Sequence, residues 1–85
     1  MYRLSNLAAE DFAAIYEYTL LHYGVLQADA YTDHLESTFR LLATSPYMGY
    51  DCPEIAKGLR RYDYHHHVIF YRSRKKDIFI ISILH

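Results

Sequence analysis

His66-His67-Val68-Ile69-Phe70-Tyr71-Arg72, followed by Ser73-Arg74-Lys75-Lys76-Asp77 and then by Ile78-Phe79-Ile80-Ile81-Ser82-Ile83-Leu84, is the stretch on which the reading of the fold turns. Its two ends are dense in Ile, Val, Tyr and Phe, which suit a pleated surface, and the polar run between them reads as a turn. The stretch therefore predicts a β-hairpin. Val68 to Tyr71 and Phe79 to Ile81 are apolar at consecutive rather than alternate positions, so both faces of these strands need at least partial cover.

Upstream, Leu59 to Tyr64 reads as a further strand, and Tyr47 to Gly58, with Gly49, Pro53 and Gly58 and no sustained period, reads as an ordered connecting loop. Two helical periods precede it. From Leu7 to Tyr23, the residues Ala8, Phe12, Ile15, Tyr16, Thr19 and Tyr23 share one arc, with Glu10, Ala14 and Glu17 opposite. Ser5 is placed to cap this helix, and Glu10 and Asp11 suit the positive end of its dipole. Gly24 allows the chain to leave the helix through positive φ. From about Val25 to Thr44, Ala28, Tyr31, Leu35, Phe39 and Leu42 face one way, and Asp29, Asp33, Glu36 and Arg40 the other. Ser45-Pro46 ends the second helix. Tyr2 to Ser5 alternates large and polar residues and predicts a short first strand. The expected fold is α+β, in the order β-α-α-β-β-β, an antiparallel helix hairpin packed on a small, mainly antiparallel curved sheet that fills residues 1–85 as a single domain. One helix hairpin covers one face of such a sheet, and curvature, loops or a partner must cover the other.

Composition narrows the function. With 85 residues, 52% of them hydrophobic, and only three Gly and two Pro, the chain is an ordered globular one whose small core invites a partner. Cys52 is the only cysteine, which rules out an intrachain disulfide and a four-thiolate zinc site and favours a reducing compartment. No signal-peptide stretch and no run of eighteen apolar residues is present, so neither export by that route nor a membrane span is expected, and a cytoplasmic location is. A net charge of −1 argues against a general polyanion binder and against direct sequence-specific nucleic-acid binding. The charges are nonetheless segregated. Residues 1–54 carry two basic and eight acidic side chains, and residues 55–85 carry seven basic and two acidic ones. This predicts two surfaces of opposite sign.

Several phrases of the sequence, taken in order, carry a resemblance. They are Tyr18-Thr19 with His22-Tyr23-Gly24, Gln27-Ala28 with Tyr31, Leu42-Ala43 with Ser45-Pro46 and Gly49, Lys57-Gly58-Leu59-Arg60-Arg61, His67-Val68-Ile69-Phe70-Tyr71-Arg72, and Ile83-Leu84-His85. Together they resemble the ParE branch of the RelE/ParE toxin superfamily along essentially the whole chain. The resemblance implies the toxin of a bacterial type II toxin–antitoxin pair, in a hetero-oligomer with a cognate antitoxin whose partly disordered, acidic segment folds around it. It also implies action on DNA gyrase by protein contact, with the cleaved-DNA complex stabilised. RelE-type relatives on the same fold instead cut messenger RNA in the ribosome. ParE-like chains commonly continue several residues past the Ile-Leu-His, and that end is associated with toxicity. A chain ending at His85 is therefore also compatible with a toxin that only binds its antitoxin.

The candidate residues follow from both readings. Arg60, Arg61, Tyr62, Tyr64, His67, Arg72 and His85 form the expected partner-binding set, because Arg forks bind carboxylates bidentately and Tyr suits surfaces that are half apolar and half wet. Tyr47 and Tyr50 join the interface tyrosines, whereas Tyr16, Tyr23 and Tyr31 are expected in the core. No catalytic residue, cofactor or metal is implied by the gyrase reading. On the nuclease alternative, Arg60, Arg72 and His85 would have to converge on a cleft, supplying cations and proton transfer. His65-His66-His67, read as extended, sends His65 and His67 to one face and His66 to the other, which argues against a shared ion. Cys52, beside Pro53, is expected to be an unreactive thiol.

Overall fold

The computed structural model describes every residue from Met1 to His85 and starts with the short strand β1, Tyr2–Leu4. Ser5 caps the first helix as its position in the sequence predicts. Its Oγ accepts a hydrogen bond from the Ala8 N–H at 2.9 Å and donates to the Ile81 carbonyl at 2.6 Å, so one hydroxyl both starts the helix and ties it to the sheet. Helix α1 spans Asn6–Tyr23 and α2 spans Val25–Thr44, joined by Gly24 alone. Gly24 has φ 91°, and nothing lies within 4 Å of where its Cβ would be, so backbone conformation rather than space requires glycine there. Glu10 and Asp11 lie beyond the first turn of α1, which holds no acidic residue. Asp11 instead accepts the Ile83 N–H at 2.9 Å and fastens α1 to the last strand.

After a 3-10 turn at Pro46–Met48 come β2 (Tyr50–Asp51), β3 (Arg60–Tyr64), β4 (His67–Ser73) and β5 (Ile78–Leu84). The sheet order is β1-β5-β4-β3-β2, with β1 parallel to β5 and every other pair antiparallel. The fold is thus α+β with one strand more than expected. β2 is two residues long, too short to show a period, and exists because it pairs with Arg60 and Arg61. The histidine run also differs from its extended reading. Tyr64 pairs with His67, so His65 and His66 form the two-residue turn between β3 and β4, with His65 at φ 52°. Between β4 and β5 the register slips, with Phe70 opposite Ser82 and Tyr71 opposite Ile80, which leaves Ile81 as the extra residue of a bulge.

The core lies between the helix hairpin and the inner sheet face. Ala8, Ile15, Leu35, Phe39 and Leu42 meet Ile69, Tyr71, Ile78, Ile80 and Ile83, and Tyr2 and Phe12 close over Phe39 with ring centroids 5.3 and 6.1 Å away. Tyr16 and Tyr31 are only half-buried, and Tyr23, expected inside, is exposed. It falls on the expected arc of α1, but there it lines an open hollow with His66, His67 and His85 instead of packing into the core.

Tyr71 organises the loop. It is fully buried, and its hydroxyl donates to the Pro46 carbonyl at 2.6 Å while accepting the Gly49 N–H at 3.1 Å. Gly49 has no positive φ. It must be glycine because a Cβ would overlap the Tyr71 hydroxyl and stand 2.5 Å from the Arg61 carbonyl oxygen. Gly49→Ala is expected to destabilise the fold by roughly 1–3 kcal/mol through overpacking, measured as the shift in urea midpoint at unchanged slope.

Candidate partner interface

Side chains alternate along strands, so the register assigns each candidate to a face. Arg60, Tyr62 and Tyr64 of β3 point toward the helices, with Tyr71, Ile69 and His67 as their partners on β4. Arg61 and Asp63 of β3 and Val68, Phe70 and Arg72 of β4 point away, as do Phe79 and Leu84 of β5. On this outer face no helix lies. Ile55 and Leu59 come over from the loop and, with Phe70, Ile81, Ser82 and Leu84, line a shallow apolar groove of about 350 Å³.

Basic side chains lie on this face and at its flanking turns. Arg61 sits over the rings of Tyr50 and Phe70, 5.5 and 5.8 Å from their centroids, and bonds to Asp63 at 2.6 Å. Arg72 donates to the Lys57 carbonyl at 2.5 Å. Arg74 stacks on Phe79 at 4.5 Å and pairs with Asp77, whose carboxyl is held below its ordinary range by that hydrogen bond. Lys57, Lys75 and Lys76 are exposed and form no ion pair. The exposed carboxylates Glu10, Glu17, Asp29 and Asp33 lie on the helical layer behind. The charge segregation along the chain thus becomes one across the molecule.

Arg60 has a different role. Its side chain is only 12% exposed and donates to the Pro46 carbonyl at 3.1 Å, the Gly49 carbonyl at 2.6 Å and Asp51 at 2.8 Å, while its guanidinium lies over Tyr47. It holds the loop that Tyr71 also holds. The three groups required for a nuclease are consequently dispersed. Arg60 is on the inner face, Arg72 is on the outer face opposite Phe79, and His85 follows the far end of β5, about 20 Å away along the strand.

His67 and His85 belong to a second concavity of about 680 Å³, between the end of the helix hairpin and the β3–β4 turn, walled by Tyr18, Tyr23, Gln27, Tyr31 and the imidazoles of His66, His67 and His85. Tyr62 and Tyr64 are half-buried against the core, and the Tyr31 and Tyr64 rings meet edge-on at 5.8 Å. Nδ1 of His67 bonds with the Tyr31 hydroxyl at 2.6 Å, and the His85 ring stands across it at 5.5 Å. No three His, Cys, Asp or Glu side chains converge as metal ligands. Cys52 is buried. The groove residues Ile55, Phe70, Ile81 and Leu84 are not among the candidates read from the sequence, although the unbroken apolar runs in β4 and β5 signalled an outer face in need of cover.

Burial lowers the His67 pKa below the ordinary imidazole value, and the neighbouring His85 and His66 lower it further. The folded state therefore binds the proton less readily than the unfolded chain. The stabilisation from the neutral ring is complete above pH about 6.5 and drains away as the pH falls below that value. The melting temperature should drop between pH 7.5 and pH 5, and His67→Gln should flatten part of that slope in thermal scans.

Comparison with known proteins agrees with this architecture. Residues 2–85 match the family described as ParE toxin of type II toxin-antitoxin system, parDE. Toxin ParE1 of Caulobacter vibrioides is 37% identical over 84 residues, covering 99% of this chain and 86% of that protein. Toxin ParE1 of Mycobacterium tuberculosis is 32% identical over 85 residues, covering 99% and 87%. A solved structure titled "Chromosomal ParDE TA system from P. aeruginosa" superimposes with a TM-score of 0.81 at 21% identity, over 98% of this chain and 91% of that one, and so shares the fold. With its helix hairpin on one sheet face and its match to the family over nearly its whole length, the chain belongs to the ParE toxins of type II toxin–antitoxin systems.

Proposed function

We propose that this toxin acts in the cytoplasm by inhibiting DNA gyrase through protein contact, making and breaking no covalent bond itself, and that a cognate antitoxin neutralises it by laying an acidic, amphipathic segment across the outer sheet face. The gyrase target rests on the family resemblance. The antitoxin site rests on one observation, the uncovered apolar groove of Ile55, Phe70, Ile81 and Leu84 on the sheet face that also carries Arg61 and Arg72. Apolar side chains of such a segment would fill the groove while its carboxylates meet Arg61, Arg72, Lys57 and the Lys75-Lys76 turn. Within the expected partner-binding set, Arg61 and Arg72 are the direct cationic contacts, and Arg60 supports them by shaping the loop. The dispersal of Arg60, Arg72 and His85 supports a mechanism of binding rather than RNA cleavage.

Purified gyrase should lose supercoiling activity in the presence of this protein and accumulate linear DNA after the trapped complexes are denatured. Folded protein that binds its antitoxin yet leaves supercoiling untouched would overturn the gyrase assignment. Phe70→Glu should weaken the antitoxin complex tenfold or more, about 1.4 kcal/mol or above, by placing a carboxylate on the groove floor against an acidic partner. Calorimetric titration with unchanged affinity would remove the antitoxin from this face.

A further inference from the structure

Two arginines beside the outer groove carry carboxylates of their own, and the two pairs are built differently. Arg74 offers Nε and Nη2 to separate oxygens of Asp77, at 2.7 and 2.8 Å, and the Asp77 side chain is only 9% exposed. This is the full fork of a bidentate pair. Arg61 directs the same two donors, at 3.0 and 2.6 Å, to a single oxygen of Asp63, whose other oxygen accepts no hydrogen bond from the protein. The Asp63 side chain is 56% exposed. The Arg74 pair is closed, and the Arg61 pair is half-made and open to water. Arg72, on the same face, forms no ion pair.

Arg61 does not depend on Asp63 for its place. Its guanidinium lies over the rings of Tyr50 and Phe70, and Phe70 lines the groove. A carboxylate bringing both oxygens to Nε and Nη2 makes the symmetric pair that Asp63 does not, and the exposed pair it replaces is weakly held. Exchanging one carboxylate for another on the same donors nevertheless gains little, and the charge of Asp63 opposes the approach of an acidic segment. Net attraction must then come from apolar side chains entering the groove.

We propose that Asp63 is a built-in competitor for Arg61. It fills the fork in the free toxin and yields it to a carboxylate of the antitoxin. The outer face thereby retains acidic segments that also bring apolar side chains and turns away segments that are merely acidic. The inference rests on the outer-face reading of the antitoxin site and names a specificity determinant within it. Removing the Asp63 charge while keeping its shape therefore strengthens binding, the reverse of deleting a contact.

Calorimetric titration with the cognate antitoxin tests it on the wild type, Asp63→Asn, Arg61→Met and the two substitutions combined. Asp63→Asn changes an exposed side chain and should keep the wild-type circular dichroism spectrum. It should tighten the complex by roughly threefold to fivefold, and the gain should vanish in the Arg61→Met background. Glu10→Gln, the same change of charge on the helical layer, should leave the affinity unchanged. Polyglutamate, which offers carboxylates and no apolar groups, should bind Asp63→Asn more tightly than the wild type. Unchanged or weaker antitoxin binding by Asp63→Asn overturns the proposal. So does an equal gain from Glu10→Gln, a gain that persists without Arg61, or polyglutamate that binds both proteins alike. Phe70→Glu in the same series tells which reading has failed. If it weakens the complex while Asp63→Asn has no effect, the competitor alone is removed, whereas unchanged affinity for Phe70→Glu removes the outer-face site and the competitor together.

Discussion

A single helical hairpin has enough apolar surface to cover one face of a five-stranded sheet, and this limit shapes everything the protein presents to its surroundings. The inner face is satisfied by Leu35, Phe39 and Leu42 of α2 together with Ala8 and Ile15 of α1, packed on Ile69, Tyr71, Ile78, Ile80 and Ile83. The outer face carries Val68, Phe70, Phe79, Ile81 and Leu84, with Ile81 and Leu84 brought to the same side by the bulge at Ile81. Burial of the first set drives folding, and the second set stays open on the face that no helix covers.

The loop between α2 and β3 would be the weak point of so small a fold, and a knot of polar groups secures it. The Tyr71 hydroxyl and the Arg60 guanidinium converge on the Pro46 carbonyl, and both also reach Gly49, one through its N–H and the other through its carbonyl. Charge-assisted bonds from a guanidinium that is nearly out of water are stronger than neutral ones, and every buried polar side-chain atom finds a partner. The knot fixes β2 on the sheet edge and lets Ile55 and Leu59 wall the outer groove. A structural Arg thus shapes a surface that it barely reaches itself.

Electrostatics then separates the surfaces by use. The helical layer is acidic, the outer sheet face is basic around an apolar groove, and the hairpin tip is uncharged. Surfaces that differ in sign discriminate between partners at low energetic cost because like charges repel the wrong one. Family membership accounts for the fold and for the toxin–antitoxin assignment. The distribution of charge and apolar area supplies the reading of where contacts form.

The linear order of residues by itself determined the α+β class, the two helices to within a residue, the single-glycine hairpin, the Ser5 cap and the final strand Ile78–Leu84. These depend on local periodicity, caps and turn residues, which are properties of neighbours in the chain. Tertiary structure alone decided the rest. β2 exists only through its pairing with β3, and Asp11 bonds Ile83 across 72 positions rather than serving its own helix end. Arg60 and Arg61 are adjacent and chemically alike, yet one is an internal clamp and the other lies on the outer sheet face over Tyr50 and Phe70, because pairing with β4 sends successive side chains to opposite faces. Tyr23 shows the same dependence in reverse, since an apolar arc on a helix is buried only as far as the sheet beneath it extends. Long-range pairing sets which face each residue occupies, and no local pattern encodes that choice.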